Sequence, residues 1–317
     1  MYKLIRFYNQ NRKQIIKIIL IIVFIIGIIQ LLNYLISKKN NTGNNIQTNT
    51  SYANNQTSEI VSNKSLVSGQ GISSTIIKKD NEIIKQFVEF CNKGDVNSAY
   101  ELLTDECKES MFPTIEDFER IYCSYIFTSY QTYTIENWTS DTYQVRYTGD
   151  ILGTGDLDNN VTKQDYITVV NNDGEKKLNI NNYIERKNLK RTTNHNDIEI
   201  TVTTIDTYMD YEIYNLSIQN KSGKDILLDT NDDTKSIYLL DSKDMKYYFY
   251  NNEISENKLL VKNDFTRSLQ IKFMNSYSSS RKIENLIFSK MILDYSEYKN
   301  FENKENYEFY QFMVVAN

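Results

Sequence analysis

Five residues on predicted strands have the side chains best suited to chemistry: Tyr133, Trp138, Tyr143, Tyr147 and Asp165. Rings lined up on one face of a curved sheet can wall a cavity. An aspartate desolvated among them becomes more basic and can take a proton from a bound substrate. A pocket of this kind would hold a small ligand, or act as an isomerase or hydrolase. The competing expectation is that the rings fill a core.

Other chemistry has little to stand on. His195 is the single histidine, so any Ser-His-Asp or Cys-His set depends on it, and it falls in an expected interdomain connector. Cys91, Cys107 and Cys123 form no C-x-x-C pair, which argues against zinc. They are expected as buried small hydrophobes, with one disulfide among them left open. Gly155 to Asn160 looks superficially like a calcium loop. Counted from Asp156, however, Val161 stands where glycine is needed and Ile167 where glutamate is needed. Asp229, Asn231, Asp232 and Asp233 could hold a weak surface cation, but a solvated turn is the expectation. The run Lys246 to Tyr250 could offer rings to a glycan from one strand face, or be an ordinary strand. Glycine-rich nucleotide loops are absent from the sequence. No cofactor and no metal is expected, and no residue is assigned a catalytic role.

The elements that must position these residues follow from the whole chain. It has 317 residues and a net charge of -5, which speaks against nucleic acid as a partner. From Ile18 to Ile36 nearly every residue is apolar, and no charge lies between Lys17 and Lys38. A helix over that run would be roughly 30 Å long, about the thickness of a bilayer core. Lys3, Arg6, Arg12, Lys13 and Lys17 precede it, and Lys38 and Lys39 follow. The positive-inside rule then puts the N-terminus in the cytoplasm and the rest outside. The expected organisation is a cytoplasmic tail (1–17), an uncleaved transmembrane anchor (18–37) and a flexible Asn/Thr/Ser-rich linker (38–79). A first domain (80–187), a connector (188–195) and a second domain (196–317) complete it.

The first domain opens with three helical patterns. Ile83, Ile84, Phe87, Val88 and Cys91 share one face, and Gly94-Asp95 breaks and re-caps the chain. A second helix turns Ala99, Leu102 and Leu103 inward. A third, capped by Thr114, is expected to bury Phe118, Ile121, Tyr122 and Tyr125. From Thr128 the period becomes two, predicting strands at 128–138, 142–152, 164–171 and 176–184, with a hairpin at Asn172-Asp173-Gly174. Asn81 to Ile184 resembles the cone-shaped domains of the nuclear-transport-factor-like superfamily. The likeness is nearest to the membrane-proximal domain of some penicillin-binding proteins, and rests on Lys93, Gly94, Asp95, Ala99, Tyr100, Leu102 and Leu103. The resemblance implies three helices, then a curved antiparallel sheet around a pocket. Similar domains occur in assembly proteins of bacterial secretion and conjugation channels.

The second domain is patterned as strands throughout, at 197–205, 211–219, 236–241, 245–250, 265–274, 285–293 and 307–315. That number and spacing predicts an antiparallel sandwich of immunoglobulin-like type. It resembles a sandwich of Gram-positive surface lipoproteins through Ile218 to Gly223, Leu239-Leu240-Asp241, and Ile271 with Phe273. The expected fold class is therefore a transmembrane helix, an α+β cone-fold domain and an all-β sandwich. The expected function is non-enzymatic: a membrane-anchored binding or assembly module outside a Gram-positive cell, in a transfer or secretion machine. Its partners would be the membrane, envelope proteins and, as an open option, a second copy. The alternatives are a small-ligand sensor and, less favoured, a pocket enzyme.

Overall fold

The computed structural model describes residues 58–59, 65, 71, 73–149, 162–230, 232–249 and 254–317. The expected tail, the expected span and most of the expected linker lie outside these residues. So do the loop Gly155 to Asn160, Asn231 and Tyr250.

Helix α1 spans Ser74–Lys93 and buries Ile77, Ile84, Phe87, Val88 and Cys91, the stripe of a 3.6-residue period. Burying each of the larger side chains contributes roughly 1.5–3 kcal/mol, before chain entropy is counted. The helix stops at Gly94, whose φ of 71° is the left-handed region that glycine enters freely. Short helices follow, each opened by a side-chain cap. Asp95 caps α2 (Val96–Glu101), Thr104 caps α3 (Asp105–Met111) and Thr114 caps α4 (Ile115–Phe118). A π-helical turn, Glu119–Cys123, then leads into α5 (Ser124–Ile126).

The strands in chain order are β1 (Ser58–Glu59), β2 (Gln131–Asn137), β3 (Thr142–Gly149), β4 (Lys163–Asn172), β5 (Glu175–Asn179), β6 (Tyr183–His195), β7 (Ile198–Tyr208) and β8 (Glu212–Asn220). After them come β9 (Ile226–Leu227), β10 (Ile237–Asp241), β11 (Lys246–Tyr248), β12 (Leu260–Val261), β13 (Phe265–Phe273), β14 (Ile283–Met291) and β15 (Tyr310–Val315). One sheet runs β1-β2-β3-β4-β5, a second β13-β8-β7-β6 and a third β11-β10-β14-β15, with β9 and β12 paired apart. Pairing is antiparallel except between β1 and β2. One apolar cluster joins the helices to the first sheet, and includes Phe87, Phe118, Tyr122 and Tyr147. Another joins the second and third sheets, and includes Ile200, Leu216, Ile271, Leu286 and Phe312.

These elements correct the expected fold class of a transmembrane helix, an α+β cone-fold domain and a separate immunoglobulin-like sandwich. The described chain is mostly β, in several antiparallel sheets. Among the described residues no helix is long and apolar enough to cross a membrane. Residues 188–195 are also strand rather than connector. They form the outer part of β6, which pairs with β7 from Tyr183↔Tyr208 to His195↔Ile198. Beyond Ile184 the side chains of β6 are half-buried or exposed, so no apolar alternation marks it. Its backbone ladder holds it in place, and hydropathy does not report backbone pairing.

The expected third helix is corrected as well. The π turn widens the helix and shifts its phase, so the buried set becomes Phe118, Tyr122, Cys123 and Ile126. Ile121 and Tyr125 are left 40% and 66% exposed.

Candidate functional site

Asp165 lies on the inner face of β4, opposite Val145 of β3, which in turn faces Ile135 of β2. Tyr147 and Tyr133 form the neighbouring row of the same face, and Tyr143 lies in the row on the other side. Strand alternation puts all of these side chains toward the helices. From that layer Tyr122 donates its hydroxyl hydrogen to Asp165 Oδ2 at 2.6 Å, and its oxygen lies 3.3 Å from that of Tyr147. The turn after β5 completes the set. The Asn181 N–H donates to Asp165 Oδ2 at 3.0 Å, and the Asn182 N–H donates to Oδ1 at 2.9 Å. Both asparagines are left-handed, with φ of 58° and 64°, which turns successive N–H groups toward one anion.

Asp165 is 2% exposed, Tyr122 1% and Tyr147 0%. Burial pushes the Asp165 carboxyl up to about 6, while the hydrogen bonds from Tyr122, Asn181 and Asn182 pull it back down. Burial raises the Tyr122 and Tyr147 hydroxyls as well, helped by the nearby Asp165 charge. A carboxyl near 6 has the basicity of a general base, yet proton abstraction needs a substrate within hydrogen-bond reach. Here Phe87, Phe112 and Phe118 pack around Tyr122 at ring-centroid distances of 5.8–6.0 Å and close the cluster. The carboxylate oxygens already accept three hydrogen bonds from the protein. The arrangement can lock the turn after β5 and the helical layer onto the sheet. Among the described residues it leaves almost none of the Asp165 side chain exposed.

Tyr133, Tyr143, Tyr147 and Asp165 thus share one sheet face, and Trp138 does not join them. Its ring packs edge-on against Tyr166, at 5.1 Å, and Tyr166 points away from the face that Asp165 occupies. Tyr143 has a different partner, donating to Asp80 Oδ2 at 2.7 Å, and Asp80 also pairs with Lys176. Composition and periodicity did not single out Tyr122, Asp80 or the Asn181-Asn182 turn as partners of the cluster. An Asn-Asn pair between two strands was the available signal, because asparagine tolerates the left-handed region.

His195 is exposed at the end of β6, edge-on to Phe312 at 5.4 Å. Asp232 and Asp233 both pair with Lys290, at 3.3 and 3.4 Å, so a lysine supplies the positive charge in that turn. Asp229 is fully buried. No group of residues suited to hold a metal ion occurs among the described residues. On β11, Tyr248 is 43% exposed and packs against Tyr238, while Phe249 is buried. Tyr247 lies under Arg281 and donates its hydroxyl hydrogen to Asp241.

All three cysteines are free and buried. Burial holds the Cys91 thiol far above its ordinary range and pushes that of Cys107 up to about 12. Thiolates are the reactive species, so Ellman's reagent is expected to modify none of the three in the native protein and all three in denaturant. Fast modification of Cys91 or Cys107 before unfolding would contradict this burial.

No protein-family model, no curated protein and no solved structure matches the chain.

Proposed function

We propose that this chain is a membrane-anchored, extracytoplasmic binding or assembly protein of the bacterial cell envelope, and that it is not an enzyme. The observation that supports this most is the state of the Asp165 cluster. The carboxyl with the basicity for catalysis is packed in aromatic rings and used up by protein donors. A filled core favours a module that works through its surface over one that works through a pocket. The address is read from the uncharged apolar run between Lys17 and Lys38 and its flanking lysines and arginines. The setting proposed for it is a transfer or secretion apparatus of the envelope.

Buried native thiols make a clean topology test possible. Asn194 is exposed on β6, so Asn194→Cys adds one accessible thiol. A membrane-impermeant maleimide is expected to label this variant in intact cells. Photo-crosslinkers at exposed positions of the same strand are expected to capture envelope proteins. Labelling seen only after the cells are opened would reverse the topology and end the proposal.

A further inference from the structure

Between β14 and β15 the chain leaves the third sheet for residues 292–309 and then returns to it. This excursion holds a short helix, Tyr295–Asn300, and a 3-10 turn, Lys304–Asn306. Its start is tied to the turn after β8. The Tyr295 N–H donates to the Asp225 carbonyl at 2.8 Å, and the Lys224 ammonium pairs with Asp294 at 2.8 Å. A surface cleft of about 580 Å³ opens beside it, a size usual for small-molecule sites. Met291 and Leu293 line it from the sheet, and Phe301, Tyr307 and Phe309 from the excursion. These walls belong to one continuous described stretch, residues 291–310.

The rings are set at steep angles to each other. Phe301 and Tyr307 lie 5.3 Å apart with planes at 87°, and Tyr307 and Phe309 lie 5.4 Å apart at 65°. A flat sugar face is best met by one broad ring plane. Rings at steep angles instead wall a rounded space, and the electron-rich ring faces attract cations. Ammonium groups of the protein already use this cluster from outside the cleft. Lys290 Nζ sits 5.8 Å from the centre of Phe309, and Lys304 Nζ 5.0 Å from that of Tyr298, whose ring packs against Tyr307.

Charge in the cleft points the same way. Asp294, Glu297 and Glu308 line it against a single cation, Lys224, and Lys224 is taken by Asp294. Glu297 and Glu308 are exposed and pair with no cation among the described residues. Burial, and then the Glu297 carboxylate, raise the Tyr307 hydroxyl, so that charge lies near the ring.

We propose that this cleft binds a small organic cation carrying a methylated ammonium group. The methyl groups meet Phe301, Tyr307 and Phe309, and the charge is balanced by Glu297 and Glu308. The site lies at the surface, apart from the filled Asp165 core. It goes beyond the proposed function and does not depend on where the chain is located.

The test is saturation-transfer NMR on the methyl signal of choline. The full chain is held in a polyoxyethylene detergent, which carries neither ammonium nor sugar. Saturable binding that weakens with salt is expected. The uncharged isostere 3,3-dimethylbutanol is expected to bind about tenfold more weakly or worse, an arm that needs no change to the protein. Glu297→Gln/Glu308→Gln, at two exposed positions, is expected to lose about tenfold in affinity. Phe301→Leu removes a ring that is 38% exposed and is expected to weaken binding as well. No saturable binding, equal binding of the uncharged isostere, or unchanged affinity in both variants would overturn the proposal. Preference for methyl glucoside over choline would overturn it too. If choline fails while Asn194→Cys is still labelled in intact cells and crosslinks to envelope proteins, the cleft is wrong and the proposed function survives.

Discussion

Replacing Arg186 with methionine is expected to lower the unfolding free energy by about 3–5 kcal/mol. Arg186 on β6 faces Asp206 on β7 across the ladder. Its Nε donates to Asp206 Oδ1 at 2.6 Å and its Nη2 to Oδ2 at 3.3 Å, a two-pronged grip on one carboxylate. The same guanidinium reaches α3, donating to Glu109 at 2.6 Å and to Ser110 at 2.8 Å. One side chain therefore ties the helical segment to the second sheet. The Arg186 and Asp206 side chains are 15% and 6% exposed, so removing the cation strands a buried carboxylate with only Tyr183 and Asn215 as donors. Arg186→Lys is expected to recover part of the loss, since lysine restores charge but not the fork. Chemical denaturation followed by circular dichroism measures the difference. A loss below about 1 kcal/mol would place the pair among solvent-screened contacts and remove it as a tie.

The second large effect concerns Asp165. In Asp165→Ala the Tyr122 hydroxyl and the Asn181 and Asn182 N–H groups lose their acceptor inside the core. Unsatisfied buried donors cost about 1–3 kcal/mol each, so a loss of roughly 3–5 kcal/mol is expected once some relaxation is allowed. The pH dependence separates burial from simple bonding. The folded-state value of about 6 lies above the ordinary carboxyl value of 3.8. The native state therefore binds the proton more tightly than the unfolded chain does. The stabilisation from that proton is fully present below pH 4 and is lost as pH rises through 6, and its full size is about 3 kcal/mol. Asp165→Asn cannot ionise. Wild type should exceed it in stability near pH 4, and the gap should narrow by up to about 3 kcal/mol by pH 7. A gap that stays constant from pH 4 to 7 would show that Asp165 titrates as an ordinary acid.

The Asp165 cluster illustrates how burial can mimic function. A desolvated aspartate among tyrosines reads in sequence as the makings of a general base. The same residues in three dimensions form a fastener. The difference lies in access: catalysis needs an open acceptor, and all the acceptor capacity used here goes to Tyr122 and two backbone N–H groups.

Local order was legible in the amino-acid sequence, because short-range physics writes it there. The apolar stripe of α1 and its stop at Gly94 follow from helical period and glycine's freedom, and both lie where those rules put them. The turn at Asp173-Gly174, with φ of 50° and 92°, follows from residues that tolerate the left-handed region. The alternation at Ile198, Ile200 and Val202 marks β7. Tertiary structure alone decided the rest. Residues 188–195 became strand because β7 offered a ladder to a segment with no apolar pattern of its own. A π turn rotated Ile121 and Tyr125 outward. Asp165 found Tyr122 43 residues away, and Arg186 found Glu109 77 residues away. Periodicity reports which face of an element is apolar. Which distant polar group meets a buried charge depends on how the layers close, and that closure is a property of the whole chain.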